Sequence, residues 1–260
     1  MMQTLLLAVL MIGGFVLFSI AALAITRRLI HNRTATSHNE VMIALFAGAS
    51  VTYAVLLGFM VVVVWQAYDN AHRTLAHEAA GLVTLYRLTY GMEAKEGAKI
   101  RGLVRGYTGA VISDEWRTLT HDSLGSDKTR RNLGDIDRLF ATMPARAKVE
   151  DTDVDAEILE TKSAVIADRN IRLFEVGDPI PWIMWLGAFG GAAIVIVMSC
   201  FVDMENPRPH FLMSAMMSAL LGLLLFITVV LSEPFNGPLP LSPRQFEQAL
   251  VIMDSVDRGN

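Results

Sequence analysis

Four long apolar runs, arranged as two close pairs, constrain the fold of this chain more than any other feature. Each run supplies about 20 residues without a charged side chain, which is the length a helix needs to cross roughly 30 Å of hydrocarbon. A helix of a soluble protein rarely stays apolar on every face for so long, because one face normally meets water. The runs are Met2 to Thr26, Val41 to Trp65, Ile180 to Val202 and Phe211 to Leu231. We therefore predict an all-α integral membrane protein with four transmembrane helices and the lipid bilayer as its first partner.

Composition and motifs narrow the function classes. The formal net charge is -4 at pH 7, and no nucleic-acid partner is expected because such binding needs a strongly basic face. No nucleophile with a base, no glycine-rich phosphate loop and no converging set of metal ligands is visible in the sequence, so we predict neither an enzyme nor a metal or other cofactor. The apolar runs hold no Asp, Glu, Lys, Arg or His at depth, which argues against proton pumps and ion-coupled transporters.

The runs divide the chain into four parts. Residues 1–65 are predicted to form two transmembrane helices with a short basic loop, 66–178 a helical bundle, 179–232 two further transmembrane helices, and 233–260 a Pro/Gly turn with an amphipathic helix. Leucines at helical intervals after the second run predict that its helix continues straight out of the membrane. Further helices of the bundle are expected at 93–119, 130–143 and 152–176, with loops at 121–128 and 144–151.

The two short loops predict an orientation. The loop from Arg27 to Glu40 holds three arginines against one acidic residue, and the loop from Asp203 to His210 holds Arg208. Short loops enriched in Lys and Arg stay cytoplasmic. Both termini and the bundle 66–178 would then be extracytoplasmic, and the opposite orientation stays open.

A stripe along the second run is the first candidate site. Phe46, Tyr53 and Met60 repeat every seven residues, and Ser50 adds a hydroxyl at mid-depth. Such a stripe usually packs in a core. It can also form the constriction of a pore, because rings of bulky apolar side chains gate by dewetting. We predict these four residues as pore-lining candidates, with Tyr53 nearest the constriction.

Small side chains at four-residue intervals mark the third and fourth runs. Gly187 and Gly191 form one ridge, and Ser214, Ser218 and Gly222 form a second. This spacing lets helix backbones approach closely in lipid. The ridges predict helix packing, either within one subunit or between subunits.

Four charged residues of the bundle stand among apolar neighbours: Glu78, Glu115, Arg169 and Arg172. Arg–carboxylate pairs across the bundle would satisfy them if they are buried. We predict a structural charge network rather than a catalytic one.

An ordered series of short motifs runs from about His38 to Leu250. The motifs are His38-Asn39-Glu40, Tyr53 to Phe59, Glu78-Ala79, Tyr107 with Glu115-Trp116, Asp168-Arg169 with Arg172-Leu173, Pro181-Trp182 and Pro234 to Gly237. Together they resemble the bacterial bestrophin-like membrane family. The resemblance implies a four-span, multi-pass protein of the bacterial plasma (inner) membrane and a homo-oligomeric channel for inorganic ions. The alternative is a non-conducting structural or sensory membrane protein whose bundle binds a partner.

Overall fold

The computed structural model describes residues 2–29, 36–116, 127–142, 149–175, 180–202, 204 and 206–259. Over these residues the fold is helical and contains no β-strand, which confirms the predicted all-α class. A 3-10 turn, Thr89–Gly91, and a π-helical turn, Val111–Glu115, flank the third helix. The α-helices are α1 (Met2–Leu29), α2 (Thr36–Leu88), α3 (Ala94–Ala110), α4 (Asp127–Thr142), α5 (Val149–Glu175), α6 (Trp182–Cys200), α7 (Pro207–Leu231) and α8 (Arg244–Gly259).

Four of the helices are long and apolar enough to cross a membrane, and each overlaps one of the four runs. The spans are Thr4–Leu29, Asn39–Gly91, Trp182–Cys200 and Pro207–Leu231. Helix α2 continues without a break from the second run to Leu88, as the leucine spacing predicts. Most of the predicted loops at 121–128 and 144–151 lies outside the described residues. Residues 127–128 begin α4, and 149–151 begin α5.

The chain forms two compact units. The first, here called the span unit, comprises Met1–Tyr68, Pro179–Glu233 and Gly237–Leu239. The second, called the bundle unit, comprises Asp69–Asp178, Pro234–Asn236 and Pro240–Asn260. Helix α2 contributes residues to both.

In the span unit, α1 packs along α7 and also meets α6. Ser19 Oγ lies 2.6 Å from Ser214 Oγ inside this contact. Near the start of α1, the Thr4 hydroxyl donates to the Pro238 carbonyl at 2.8 Å. At its other end, Arg27 Nη2 lies 3.1 Å from His210 Nδ1.

In the bundle unit, α3 packs against both α4 and α8. Helix α8 is amphipathic, and it buries Phe246, Ala249 and Met253 on its inner face. Near its C-terminal end, Asp254 and Asp257 each form a 2.6 Å ion pair with Arg105 of α3. The C-terminal segment is thereby fixed onto the bundle.

Candidate functional site

The four predicted charged residues meet in one place in the bundle unit. Glu78 comes from α2, Glu115 from the π-helical turn, and Arg169 and Arg172 from adjacent positions on one face of α5. The two arginines are three positions apart along α5, so both side chains point to the same side of the helix. We call this group the ion-pair cluster.

Arg172 lies at the centre of the ion-pair cluster. Its Nε donates to Glu78 Oε2 at 2.8 Å, and its Nη2 donates to Glu78 Oε1 at 3.1 Å and to Glu115 Oε1 at 2.7 Å. Arg169 Nη2 donates to Glu115 Oε2 at 3.0 Å. The planar guanidinium therefore bridges two carboxylates, a geometry that lysine cannot reproduce.

Two hydroxyl groups complete the cluster. Tyr107 of α3 donates to Glu78 Oε1 at 2.5 Å, and Thr129 of α4 donates to Glu115 Oε2. The sequence singled out neither of them as a member of the charge network. The cluster thus joins α2, α3, α4, α5 and the π-helical turn through side chains alone.

The cluster is dry and electrically balanced. The side chains of Arg172, Glu78 and Glu115 are fully buried, and two carboxylates face two guanidinium groups. Burial would raise the pKa of Glu115, but Arg172 and Arg169 outweigh it and hold that pKa below its usual value. Burial, reinforced by the Glu78 charge, raises the pKa of Tyr107 far above its usual value. At neutral pH the carboxylate of Glu115 therefore stays ionised and the phenol of Tyr107 stays protonated.

The carboxylates of the cluster are occupied by guanidinium and hydroxyl donors, and these contacts link helices of the bundle unit. The Phe246 ring of α8 lies beneath Arg172, with 5.8 Å between the ring centre and Cζ. Among the residues that the structure describes, no group of three or more potential metal ligands occurs.

The pore-lining candidates lie on the face of α2 that packs against its own chain. The Tyr53 hydroxyl donates to the Ala188 carbonyl of α6 at 2.9 Å. A Cβ atom at Gly191 would lie only 2.5 Å from Tyr53 Cδ2, so the absence of a side chain at Gly191 makes room for the ring. Met60 is buried and Phe46 is partly buried in the same core.

This packing separates the stripe from the surface of the chain. Ser50 Oγ is also buried, and it has no hydrogen-bond partner within the described part of the chain. Tyr53 thereby packs α2 against α6, and Met60 belongs to the same core. The pore-lining role of Phe46, Ser50, Tyr53 and Met60 stays a prediction.

The predicted small-residue ridges lie at contacts within one copy. A Cβ atom at Gly222 would lie 3.1 Å from the Ile12 backbone of α1, and Ser218 donates to the Ser214 carbonyl at 2.8 Å. A Cβ atom at Gly187 would meet Leu56 of α2 at 3.9 Å. Here the ridges allow helices of the same chain to approach closely.

A second polar group was not foreseen from the sequence. Tyr86 and Tyr90 donate to Asp257 at 2.5 to 2.8 Å, and Arg105 pairs with the same carboxylate. These hydrogen bonds lower the pKa of Asp257 to about 2. The only sequence signal was the amphipathic pattern of the C-terminal segment, which predicted a helix without identifying its polar contacts.

Comparison with known proteins identifies the family. A family model described as the bestrophin-like domain matches residues 13–246. The chain belongs to the bestrophin-like family. The resemblance seen in the short motifs is thereby confirmed, and with it the expectation of a membrane protein of a channel-related family.

Solved structures share the bestrophin-like fold at low identity. A point variant of a bacterial bestrophin homologue from Klebsiella pneumoniae has a TM-score of 0.68 and 12% identity over 96% of this chain and 98% of that chain. A second variant of that homologue has a TM-score of 0.66 and 14% identity, covering 95% and 96%. A crystal structure described as that of a membrane protein variant has a TM-score of 0.67 and 12% identity, and the match covers 95% of this chain and 97% of that chain. A comparison with curated proteins found no match. At these identities the likeness shows the fold alone.

Proposed function

We propose that this bestrophin-like protein is a subunit of a homo-oligomeric membrane channel that conducts inorganic ions passively, with α2 lining the pore. One observation carries the assignment to α2. Its own chain covers only one stripe of the helix in the span unit, and a second, apolar face stays exposed. The exposed fractions are 65% for Val51, 54% for Val55, 69% for Phe59 and 50% for Val62.

The spacing of these four residues supports a common face. Intervals of four, four and three residues keep side chains on one side of a helix. No charged residue occurs in α2 between Glu40 and Asp69. A ring of such faces would form an apolar neck, which gates by dewetting and passes ions without binding them tightly. Selectivity between ions of the same sign would be weak.

The constriction in this proposal moves from Tyr53 to Phe59. Phe59 is the bulkiest of these four exposed side chains, whereas Tyr53 is engaged by Ala188 and Gly191. Tyr53 would act by fixing the position of α2 against α6 rather than by contacting ions.

Single-channel recording in planar bilayers tests the proposal. Wild type should conduct, and Phe59→Ala should change conductance or gating because it removes the largest side chain of the neck. Phe18→Ala on α1 is the matched control, since Phe18 is also exposed, at 43%, but lies on a different helix. An unchanged Phe59→Ala channel would place the pore elsewhere. Silence under voltage, calcium and tension would overturn the channel and favour the structural or sensory alternative.

The sign of the conducted ion follows from the same recordings. The segment from Gln66 to Asp178 is acidic overall, which would concentrate cations at a nearby mouth, whereas the family relation favours anions. Reversal potentials measured across a salt gradient distinguish the two.

We further propose a bacterial plasma-membrane location with both termini extracytoplasmic, as the basic first loop predicts. Single-cysteine variants in a Cys200→Ala background test this orientation. An impermeant thiol reagent should label Ser126→Cys from outside and should not label Ser37→Cys; Ser126 and the side chain of Ser37 lie outside the described residues. Reversed labelling would invert the topology.

A further inference from the structure

The bundle unit carries a groove that its own chain leaves open. The groove lies between α2 and α8, has a volume of about 350 Å³ and is lined mainly by small side chains. Ala76, Ala80, Val83 and Ala249 form its apolar lining, and Arg87 stands at one end. We call it the alanine groove. Among the described residues, Arg87 forms no ion pair.

Helix α5 of the same unit carries the opposite shape. Leu159, Ile171 and Phe174 project from it with 48%, 45% and 76% of their surface exposed. Together with the exposed Ala167 they lie on one side of the helix, because spacings of eight, four and three residues keep the four directions within about 120° of one another. We call this face the α5 ridge. The exposed Glu160 lies on the same face and has no ion-pair partner within the described ranges.

The groove and the ridge lie at the same level along α2. Helix α5 runs antiparallel to α2, as two contacts show: Arg172 pairs with Glu78, and a Cβ atom at Gly81 would lie 2.7 Å from Val165 Cγ2. Counting outward from the Gly81–Val165 contact at equal rise per residue places successive residues of α5 beside successively earlier residues of α2. The ridge from Glu160 to Ile171 therefore spans the same height as the groove from Arg87 to Ala76.

We propose that the α5 ridge of one copy packs into the alanine groove of the next copy, with Glu160 facing Arg87 across the contact. The inference rests on the proposed homo-oligomer and names the contact that holds it. Large apolar side chains opposite small ones allow close helix packing. The two unpaired charges have opposite sign and stand at the same end of their patches.

The equal height is what an assembly within one membrane requires. Copies inserted in the same orientation are related by rotation about the membrane normal, and rotation leaves the height of each residue unchanged. Two different patches can meet all the way around only if they share that height. Because the patches differ, the contact is heterologous, and repetition closes a ring.

Disulfide trapping between differently tagged chains tests this contact. In a Cys200→Ala background, a chain with Ala80→Cys is co-expressed with a chain with Ala167→Cys, and native membranes are oxidised. A linked dimer that carries both tags is expected. A single chain with both cysteines should give a ladder of bands that ends at the subunit number of the ring. Replacing Ala167→Cys by Gly102→Cys, at an exposed small residue of α3, is the matched control and should give no mixed dimer.

Mass measurement in nanodiscs distinguishes a failure of the ridge–groove contact from a failure of the homo-oligomeric channel. An oligomer by mass without the mixed dimer would overturn the ridge–groove contact and leave the channel proposal standing, whereas a monomer would overturn both. Linked dimers from Ala80→Cys alone would show like patches facing each other and would also overturn the contact.

Arg87→Glu should lower the mixed-dimer yield several-fold, and adding Glu160→Arg should restore it. No loss, or no restoration, would remove the Glu160–Arg87 pairing.

Discussion

Replacing Arg172 by methionine measures how strongly the ion-pair cluster stabilises the protein. Methionine is long, unbranched and apolar, so it removes the cation while filling much of the space. The wild-type side chain donates at 2.8 and 3.1 Å to Glu78 and at 2.7 Å to Glu115, and all three side chains are fully buried. The variant leaves two buried carboxylates with Arg169 as their only cation. Breaking a buried ion pair in this way costs about 3–5 kcal/mol.

The expected readout is a fall in melting temperature. At about 2–4 °C per kcal/mol for a protein of this size, the Arg172→Met variant should melt on the order of 10 °C below wild type. Tryptophan fluorescence of the full chain in nanodiscs follows unfolding, and Trp116 contributes a signal from beside the cluster, because its ring lies 6.3 Å from the Phe246 ring. Arg73→Met is the control. Its side chain is 71% exposed and pairs with Asp69 on the same helix, so its loss should cost about 0–1 kcal/mol.

The pH dependence separates lost charge from lost packing. In wild type the pKa of Glu115 is lowered, because Arg172 and Arg169 outweigh its burial. Its stabilising contribution is present above the unfolded pKa, about 4.3, and is lost as the pH falls through the folded pKa. In the variant, buried carboxylates that lack a cation are relieved by protonation. The difference from wild type should therefore shrink between pH 7.5 and 5. A loss below about 1 kcal/mol, or one that does not change with pH, would refute a net electrostatic role for Arg172.

Two further substitutions test contacts in the separate units. Gly191→Leu should lower the melting temperature without changing the oligomer mass, because a Cβ atom there would lie 2.5 Å from Tyr53 Cδ2. Gly190→Leu is the control, since a Cβ atom at Gly190 would meet nothing within 4 Å. Equal shifts of the melting temperature in the two variants would contradict this packing. Asp257→Asn should increase hydrogen exchange in α8 at pH 7, since it weakens the acceptor of the Tyr86 and Arg105 contacts. Because tyrosine hydrogen bonds hold the pKa of Asp257 at about 2, wild-type protection, corrected for intrinsic rates, should be equal at pH 7 and 5. Protection should fall only as the pH drops from the unfolded pKa of Asp257, about 3.9, toward its folded pKa. A loss of protection already at pH 5 would contradict the assignment.

Apolar length and helical spacing were enough to predict the helices, because both properties are local. The run from Val41 to Trp65 and the leucines that follow it predict one long helix, and Leu75, Leu82 and Leu85 are buried along it. The same spacing identified the Tyr53 stripe as a face of α2. It could not show what covers that face, because the covering residues, Ala188 and Gly191, are remote in sequence.

The ion-pair cluster was only partly predictable for a related reason. A charged residue among apolar neighbours is costly to bury alone, so Glu78, Glu115 and Arg172 were recognisable as members of a network. Tyr107 and Thr129 were not, since tyrosine and threonine are common on half-buried helix faces. Which carboxylate each hydroxyl meets depends on how α3 and α4 pack, and that is not a local property.

The uninterrupted course of α2 restricts how the length of this protein can change in evolution. Its buried positions, Tyr53, Leu57, Met60 and Val64 followed by Ala71, Leu75, Ala79 and Leu82, advance by three or four residues, or by seven, within a helix of 53 residues. Inserting one residue at Leu57 would turn the residues beyond it by about 100°. Either Tyr53 or Val64 would then leave the core that both share. Relatives should therefore differ within α2 by substitution, or by whole steps of about seven residues, and tolerate other insertions only outside it.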